Sequence, residues 1–289
     1  MVIDAVLDPE AQSRREAQAR RVPIITLLTD FGVESTYPAQ MKGVILARCP
    51  EAIIVDLSHG VPQHDVQTAA FMLASAVPAF PHGTIHVAVV DPQVGGQRRI
   101  LAAEGNGYIY LAPDNGLLTL VTQGEFIQGG GGEPARVVAV ENRRFFRTEV
   151  SSTFHGRDIF APVAAALAEG AEVDDLGPPM DSIELFELPQ PRREGNRISG
   201  RVLYVDSFGN LTTNVAGSAV TGPNPAAIQV RIGGAVISGL SRAYSDVPAG
   251  TLLAYIGSAG LLEVAVNRQS AAVRLGAGLG TPVTVALEP

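Results

Sequence analysis

The sequence predicts an α/β N-terminal domain, with a parallel-type central sheet and flanking helices, followed by a small all-β, barrel-like C-terminal domain. Short apolar runs alternate with helix-length segments through the first half of the chain, which is typical of a parallel sheet. Prolines and charges then cluster at 176–196, and only short apolar runs separated by glycine and asparagine follow. We therefore expect an N-terminal extension at 1–21, an α/β domain at 22–185 and a β domain at 186–289.

The first strand and the first helix are predicted from their apolar positions. Residues 24–28 form a short apolar run, which indicates a buried strand. In the following segment, YPAQMKGVILARCP, helical spacing places four apolar side chains on one face, and Pro50 ends the helix. These side chains are Met41, Val44, Ile45 and Cys49.

The same alternation continues along the chain and ends each strand in polar residues. A second strand in AIIVDLSHG, a second helix in DVQTAAFMLASAVPAF and a third strand in GTIHVAVV follow in order. The side chains expected to face the core from this helix are Val66, Ala69, Ala70 and Leu73. The polar residues at the strand ends are Asp30, Asp56, His59 and Asp91. Because ligands of parallel sheets bind beyond the carboxyl ends of the strands, we expect a site here.

The remaining elements follow from the same reasoning. YIYLAPDNGLLTLV predicts a strand, a turn and the start of a helix, the glycine run at 129–133 predicts a flexible loop, and RDIFAPVAAALAEG predicts a helix that ends at Gly170. In the C-terminal half, strands are expected in RISGRVLYVDSFGNLTTNV, IQVRIGGAVISGL, GTLLAYIGSAGLLEVAV and TPVTVALEP. No helix-length pattern occurs there, which favours a small antiparallel barrel.

Composition and charge argue against several classes of protein. The chain has 289 residues and a net charge of -8, with no run of lysine and arginine in its body, so nucleic-acid binding is not indicated. Its single cysteine, Cys49, allows no internal disulfide and fits a reducing compartment. No apolar run reaches the roughly 18 residues that span a bilayer, and the charged segment 1–21 lacks a signal region. We therefore expect a cytoplasmic protein without nucleic-acid or membrane partners.

Phosphate-binding, nucleophile and metal motifs receive little support. GAGLG at 276–280 lacks the third glycine of a dinucleotide fingerprint, no Walker lysine follows GGGG, and no Gly-x-Ser-x-Gly elbow occurs. An oxygen and nitrogen metal site is conceivable at four residues, Asp56, His59, His64 and Asp65. Turn and capping roles are commoner for such residues, and Asp65 stands where a helix begins, so we expect no metal.

Three stretches carry polar residues for which the sequence leaves alternatives open. VVDPQVGGQRR is either a turn in which Asp91 bonds backbone amides or a loop that folds Arg98 back onto Asp91 as a charge pair. In SSTFHGRDIFAP, His155 could be a packed core residue, a metal ligand or part of a reaction centre. The stretch from Asp206 to Asn210 has the composition of a β-turn at the end of a strand.

Seven stretches occur in an order that resembles one family, the S-adenosyl-L-methionine (SAM) hydroxide adenosyltransferases. These are the adenosine-forming SAM hydrolases, related to the SAM-dependent fluorinase and chlorinase. The stretches are TLLTDFG, MKGVI, VVDPQVGGQRR, APDNGLL, STFHGRDIFAP, VDSFGNLTTN and GSAGLLEVAVN, and the resemblance covers residues 22–289. It implies an α/β domain and a β-barrel-like domain, assembled as a homotrimer. Each SAM site then lies between the N-terminal domain of one subunit and the C-terminal domain of its neighbour.

The resemblance also implies roles for individual residues. By motif, the family's hydrolytic triad falls on Asp91, Arg98 and His155. The positions implied for substrate binding are Asp30 for the ribose hydroxyls, Asp206 and Asn210 for the methionine amino and carboxyl groups, Ser258 for the methionine end and Asn267 near the adenine. SAM is then the substrate, and neither a cofactor nor a metal is implied.

The implied reaction is hydrolysis of SAM to adenosine and L-methionine, with activated water attacking C5′ of the ribose. His155 or Asp91 could accept the proton of that water, since an arginine cannot act as a base. The histidine in STFHGRD distinguishes this chain from the halogenating relatives and favours water over halide.

Three alternatives remain open at the level of the sequence. They are a SAM-dependent halogenase, a non-catalytic module that binds SAM or adenosine, and a metal-dependent hydrolase built on His59, His64 and Asp65. The non-catalytic alternative rests on Gln93, which stands where the family usually has glycine. If the backbone at Gln93 had a positive φ, glutamine would be strained there and could displace the loop that carries Arg98.

Overall fold

The computed structural model describes residues 22–123, 136–220 and 225–287. The N-terminal extension and the glycine run predicted from the sequence, 1–21 and 129–133, lie outside these residues. The chain divides into two compact units, each with a hydrophobic core of its own. The first is built from 22–122 and 136–185, and the second from 123, 186–220 and 225–287.

A six-stranded mixed sheet forms the centre of the first unit. Its strands are β1 (Ile24–Thr29), β2 (Ile53–Ser58), β3 (Ile85–Val89), β4 (Ile100–Gly105), β5 (Tyr108–Pro113) and β6 (Arg136–Ala139), in the order β2-β1-β3-β5-β4-β6. Strands β2, β1, β3 and β5 run parallel, which confirms the predicted parallel-type sheet. Strands β4 and β6 are antiparallel additions at one side. Strands β1 and β3 are buried almost throughout, as expected for central strands covered on both faces.

The hairpin between β4 and β5 is an addition to the predicted architecture. Two residues, Asn106 and Gly107, connect the strands, and their φ values are 54° and 79°. Positive φ at both positions is the backbone of a type I′ turn, for which Asn-Gly is the favoured sequence. The dipeptide is therefore a local signal for this hairpin, which the alternation of strands and helices does not capture.

Helices flank the sheet and bear out the predicted apolar faces. They are α1 (Tyr37–Arg48), α2 (Val66–Ala76), α3 (Thr119–Gln123) and α4 (Ala161–Ala168), with a π-helical turn at Gly156–Phe160 leading into α4. Helices α1 and α4 pack together on the core of the sheet. On α1, Met41 and Ile45 are fully buried and Val44 is partly buried, and Cys49, directly after the helix, is also fully buried. On α2, three of the four predicted positions are buried, and Val66 is half-buried.

The second unit is an antiparallel, nearly closed barrel-like sheet, which confirms the predicted class. Its strands are β7 (Arg192–Glu194), β8 (Arg197–Val205), β9 (Leu211–Ala216), β10 (Ile228–Ile232), β11 (Ala235–Ser238), β12 (Leu252–Ile256), β13 (Leu261–Val266) and β14 (Pro282–Leu287), joined by short helices α5 (Gly217–Val220) and α6 (Ala271–Leu275). The order is β11-β10-β14-β8-β9-β13-β12, with β7 paired to β8. The outermost strands β11 and β12 contact each other, and buried aliphatic side chains fill the interior.

Among residues 22–123, 136–220 and 225–287, no helix combines the length and the apolar character that crossing a membrane requires.

Candidate active site

Polar residues of the first unit gather at the carboxyl ends of the parallel strands. Strands β1 and β3 are neighbours, and their register pairs Thr29 with Val89. Asp30 follows directly after β1, and Asp91 is the second residue after β3. Both carboxylates therefore lie at the edge of the sheet where ligands of α/β proteins bind.

Asp91 and Arg98 form a buried ion pair at this edge. Arg98 Nε lies 3.0 and 2.9 Å from the two carboxylate oxygens of Asp91, and Arg98 Nη2 lies 2.5 Å from Oδ2. Each side chain is only 4% exposed. Of the two interpretations of VVDPQVGGQRR, the structure contains the charge pair, and this geometry fixes the plane of the guanidinium.

His155 joins the pair through Arg98. Its Nδ1 lies 2.7 Å from Arg98 Nη2, and because a guanidinium nitrogen can only donate, Nδ1 is the acceptor. A neutral His155 in this arrangement carries its proton on Nε2. Burial first, and the charge of Arg98 second, lower the pKa of His155, while the charges of Asp91 and Asp158 oppose that shift. The imidazole is therefore neutral at pH 7.

The hydrogen bonds of Arg98 leave one end of its guanidinium available. Its Nε and its Nη2 are used by Asp91 and His155. Within the part of the chain that the structure describes, no hydrogen-bond partner of Nη1 is found. Two donors of a permanent cation are thus available to a small ligand beside a neutral imidazole. Such donors can stabilise the negative charge that develops on the oxygen of an attacking water.

Two glycines allow the chain segments that carry this site to approach each other closely. Gly95 has a φ of +77°, and a Cβ at this position would collide with the backbone oxygen of Ser152. A Cβ at Gly156 would lie 3.2 Å from Met41 Sδ and from the ring of Phe31. A larger residue at either position therefore displaces a neighbour.

Asp158 anchors the segment that leads into His155, a role for which the sequence patterns indicate no residue. It is fully buried and accepts hydrogen bonds from Arg157 Nε (2.7 Å), Arg147 Nη1 (3.1 Å) and the backbone amide of Ser151 (2.9 Å). Burial alone would raise the pKa of Asp158, but these hydrogen bonds outweigh it, and the pKa is lowered. The Arg-Asp dipeptide that follows His155 is the signal that could have identified this anchor.

Asp30 is held by the loop that follows β2 and adjoins an aromatic cluster in the chain. Its Oδ2 accepts the backbone amide of His64 at 2.9 Å, and its side chain is 9% exposed. Next in the chain, Phe31 packs edge to face with Tyr37 and with Phe154, at centroid distances of 5.9 and 5.8 Å. A carboxylate with remaining acceptor capacity thus directly precedes, in the chain, a residue of an aromatic cluster.

In the second unit, Asp206 and Asn210 form a hydrogen-bonded turn after β8. Asp206 Oδ1 accepts the backbone amides of Phe208 and Asn210 at 2.9 and 2.8 Å, and Oδ2 accepts Asn210 Nδ2 at 2.8 Å. Asn210 Nδ2 also donates to the hydroxyl of Tyr244 at 3.1 Å. Because both amide hydrogens of Asn210 are used, the group that it offers to a ligand is the acceptor Oδ1. The turn therefore presents acceptors, which suit a cationic group.

A chain of hydroxyl groups that the sequence patterns do not indicate continues from Asn210 into the barrel. The hydroxyl of Tyr244 lies 2.8 Å from that of Tyr255, which donates to Glu263 Oε2 at 2.5 Å. Burial raises the pKa of Glu263, and burial together with this hydrogen bond raises the pKa of Tyr255. The polar residues within the otherwise apolar strands β12 and β13 are the signal that could have found it.

The other two residues predicted in this unit stand apart from the turn. Ser258 is exposed between β12 and β13, and Asn267 donates from Nδ2 to the backbone carbonyl of Val247 at 2.8 Å. Within the described chain, neither side chain is hydrogen-bonded to Asp206 or Asn210. The structure thus brings together two of the four residues predicted for the second unit.

A metal site and backbone strain at Gln93 are both absent from the described residues. No group of three or more His, Cys, Asp or Glu side chains in them could hold a metal ion. Asp65 instead caps α2, because its carboxylate accepts the backbone amide of Thr68 at 2.9 Å. Gln93 is not strained, since the non-glycine residues with positive φ in the described chain are His64, Asn106 and Arg268.

The fold and the site together define a protein with an α/β domain, a β-barrel-like domain and an Asp–Arg–His centre at the carboxyl ends of parallel strands. The chain belongs to the SAM hydroxide adenosyltransferase family. Sequence models of that family's N-terminal and C-terminal domains match residues 25–177 and 200–284. The family named from the seven sequence stretches is therefore confirmed.

Known proteins similar to this chain include hydrolases and fluorinases. An (R)-S-adenosyl-L-methionine hydrolase of Thermus thermophilus is 41% identical, over 90% of this chain and 98% of the relative. A fluorinase of an Actinoplanes species is 31% identical, over 67% of this chain and 72% of the relative. The crystal structure of an uncharacterized conserved protein from Thermotoga maritima is similar with a TM-score of 0.83 and 34% identity, over 91% of this chain and 99% of that one.

Proposed function

We propose that this protein hydrolyses S-adenosyl-L-methionine to adenosine and L-methionine. The observation that carries the proposal is the buried Asp91–Arg98 pair with a neutral His155 beside it, at the carboxyl ends of the parallel strands. Similarity to hydrolases over nearly the whole chain supports the same reaction, and the fluorinase relatives are less similar.

The reaction exchanges one bond at C5′ of the ribose. The oxygen of water forms a bond to C5′, the C5′–S bond breaks with its electron pair going to sulfur, and a base takes the proton of the water. Methionine leaves as a neutral thioether, so no acid is required on that side. Because water is a weak nucleophile at pH 7, the protein must supply its activation.

Arg98 and His155 supply this activation in different ways. The Nη1 donors of Arg98 stabilise the developing hydroxide, although a guanidinium cannot accept its proton. Protonation of Asp91 would break its buried ion pair with Arg98, whereas neutral His155 can take a proton at Nδ1 when that nitrogen exchanges its hydrogen bond from Arg98 for one from the water. These contacts favour His155 as the proton acceptor. Alignment of water, carbon and sulfur in a closed site contributes on the order of 7–11 kcal/mol.

The name of the hydrolase relatives specifies the configuration of their substrate. It specifies (R)-S-adenosyl-L-methionine, although the amino acid is already given as L. The stereocentre left to specify is the sulfonium, which has three different carbon substituents and a lone pair. We therefore propose that this protein, too, acts on the epimer with the R configuration at sulfur.

The two ends of SAM are proposed to be held by separate sets of residues. Asp30 accepts hydrogen bonds from the ribose hydroxyls, because the His64 amide leaves acceptor positions on its carboxylate unused. Asp206 and Asn210 present acceptors, which supports binding of the methionine ammonium group by both residues. The methionine carboxylate then binds near Ser258, and the adenine binds near Asn267.

The resemblance supports further proposals about assembly and location. The protein is proposed to form a homotrimer in which the first domain of one subunit and the second domain of its neighbour build each site. No cofactor or metal takes part, and the reducing compartment suggested by the lone buried Cys49 is the cytoplasm.

Product analysis tests the proposed function. Purified protein is incubated with each sulfonium epimer of SAM in halide-free buffer, and the products are separated by chromatography. We expect adenosine and methionine in equal amounts from the R epimer. Arg98→Ala should abolish turnover while leaving SAM binding, measured by calorimetry, largely intact.

Each failure of this experiment identifies another function. Intact SAM despite saturable binding would indicate the non-catalytic module. A halogenated nucleoside formed in place of adenosine when chloride or fluoride is added would indicate a halogenase. Near-normal turnover by Arg98→Ala would reject the assigned centre, and turnover of the S epimer alone would reject the stereochemical proposal.

A further inference from the structure

A threonine and a histidine adjoin Asp30 without belonging to the site described above. Thr29 is the last residue of β1 and is fully buried, and His59 is the first residue after β2 and is 8% exposed. Thr29 Oγ1 and His59 Nδ1 are 2.9 Å apart. A buried hydroxyl–imidazole contact thus links the ends of two neighbouring strands immediately before Asp30.

Hydrogen bonds connect this pair to the backbone on both sides of Asp30. The hydroxyl of Thr29 accepts the backbone amide of Phe31 at 3.2 Å, and the backbone carbonyl of His59 accepts the amide of Gly32 at 2.8 Å. We call the segment from Thr29 to Gly32 the Asp30 loop. Because these bonds precede and follow Asp30, they fix the direction in which its carboxylate leaves the backbone.

His59 is in turn placed beside a carboxylate. Its Nε2 lies 3.0 Å from Asp56 Oδ1, although out of line for a hydrogen bond, and Asp56 Oδ2 accepts from Lys42 Nζ at 2.6 Å. Partial burial opposes ionisation of Asp56, but Lys42 and His59 outweigh it and lower its pKa. An imidazole between a hydroxyl and a carboxylate has the geometry of a nucleophile triad. The full burial of Thr29 excludes that role and leaves an orienting one.

The hydroxyl of Thr29 can form hydrogen bonds with the Phe31 amide and with His59 at the same time. As an acceptor it takes the hydrogen of the Phe31 amide, and as a donor it gives its own hydrogen to His59 Nδ1. When Nδ1 of His59 accepts this hydrogen, Nε2 faces Asp56. Valine in place of Thr29 keeps the shape of the side chain and loses both bonds, whereas serine keeps both.

We propose that Thr29 and His59 are positioning residues that hold the Asp30 loop in the conformation in which Asp30 binds the ribose hydroxyls. This inference rests on the proposed function, because the ribose is assigned to Asp30 there. Asp30 touches the substrate, and the other two residues act through it. Loss of the pair therefore weakens recognition of the ribose hydroxyls and has no direct effect on the attacking water.

The sheet contains a matched control pair. Thr26 also lies on β1, is also fully buried, and has its Oγ1 2.8 Å from Nδ1 of the fully buried His86. Because side chains alternate along a strand, Thr26 and Thr29 point to opposite faces of the sheet. Replacing Thr26 with valine therefore removes a threonine–histidine bond of the same kind without touching the Asp30 loop.

The experiment compares the dissociation constants of adenosine and 2′,3′-dideoxyadenosine by calorimetry. Their ratio reports recognition of the ribose hydroxyls and is insensitive to the fraction of protein that is folded. We expect the wild type to prefer adenosine. In Thr29→Val and His59→Leu this preference should fall by a factor on the order of ten. Thr29→Ser and the control Thr26→Val should retain it.

Several results would overturn the positioning role. They are an unchanged preference in Thr29→Val and His59→Leu, an equal loss in Thr26→Val, or a wild type that binds both nucleosides equally. If His59→Leu does not fold, the comparison of Thr29→Val with Thr29→Ser decides the question. Since the measurement needs no turnover, a preference that is lost in Thr29→Val supports the inference even if the wild type releases no adenosine from SAM, a result that would reject the proposed function alone.

Discussion

Arg98 shows why residue type matters at the centre of this site. A guanidinium has five N–H donors in one plane, and here those on Nε and Nη2 bind Asp91 and His155, while Nη1 has no partner among the described residues and can bind a ligand. A lysine would replace this fork with a point charge on a flexible stem. The sequence motifs identify the three residues, but the direction of the hydrogen bonds, which makes His155 an acceptor, depends on their geometry.

The pH dependence of the reaction should reflect the environment of His155. Burial and the charge of Arg98 lower its pKa, so the imidazole stays neutral until the pH is below its ordinary value of about 6.5. Protonation then occupies the Nδ1 lone pair, which accepts from Arg98 at rest and has to take the proton of the water during the reaction. We expect kcat/KM to be flat near pH 7 and to fall with a midpoint below about 6.5. His155→Gln should lower the rate and lose this acid limb; an unchanged limb in that variant would contradict the assignment.

Several residues around the site carry no motif of their own. Asp158 acts through the backbone amide of Ser151 and through two arginines, and His59 acts through Thr29. Sequence patterns identify residues whose chemistry suits a substrate, whereas these residues orient other parts of the protein and are identified by their contacts. Gln93 is the reverse case, because the suspected strain depends on a φ value that only the structure supplies.

At the scale of elements, two loops and a π-helical turn bring the site together. The Asp91–Arg98 loop passes close to the backbone of Ser152 at Gly95, and the π-helical turn begins directly after His155. The sequence predicts strands, helices and their polar ends, since hydrophobic periodicity and the turn residues that end each element are local properties. It does not predict this contact or the π-helical geometry, because both depend on packing between segments distant in sequence.

Substitution of Gly95 should separate the cost of backbone strain from the loss of the site. Gly95→Ala combines a left-handed φ with a collision at Ser152, whereas Gly83 has a φ of +90° and open space where a Cβ would lie. We expect Gly83→Ala to lower the free energy of unfolding by about 1–2 kcal/mol and to retain activity. Gly95→Ala should lose more stability and most of its activity per folded molecule. Thermal melts and initial rates measure both, and equal activities of the two variants would reject the role of this close approach.

At the scale of the whole molecule, the sequence predicts the class of each half correctly. The alternation of strands and helices predicts a parallel-type sheet, and the short apolar runs separated by turn residues predict a barrel. The antiparallel edge formed by β4 and β6 and the near closure between β11 and β12 escape prediction. The pairing of β6 with β4 and the contact of β11 with β12 join separate segments of the chain, which a local pattern does not specify, whereas the hairpin of β4 and β5 does have the local Asn-Gly signal.

The proposed trimer with shared sites makes a prediction that a single-chain site does not. Arg98→Ala damages the first domain, and Asp206→Ala damages the second, so each variant alone should be inactive. When both are co-expressed with different tags and the mixed assemblies are purified, one site in each mixed trimer, about a third of all sites, combines two intact domains from neighbouring subunits. We expect activity to return to about that fraction of the wild-type value. Mixed assemblies without activity would contradict sites shared between subunits.

The central claim is that water activated at Arg98 and His155 attacks C5′ of the ribose. The most direct measurement is a reaction in water enriched in oxygen-18, followed by mass spectrometry of both products. If water attacks C5′, the label enters the 5′-hydroxyl of adenosine during a single turnover and methionine stays unlabelled. Adenosine without the label, or a labelled product of another kind, would contradict the account.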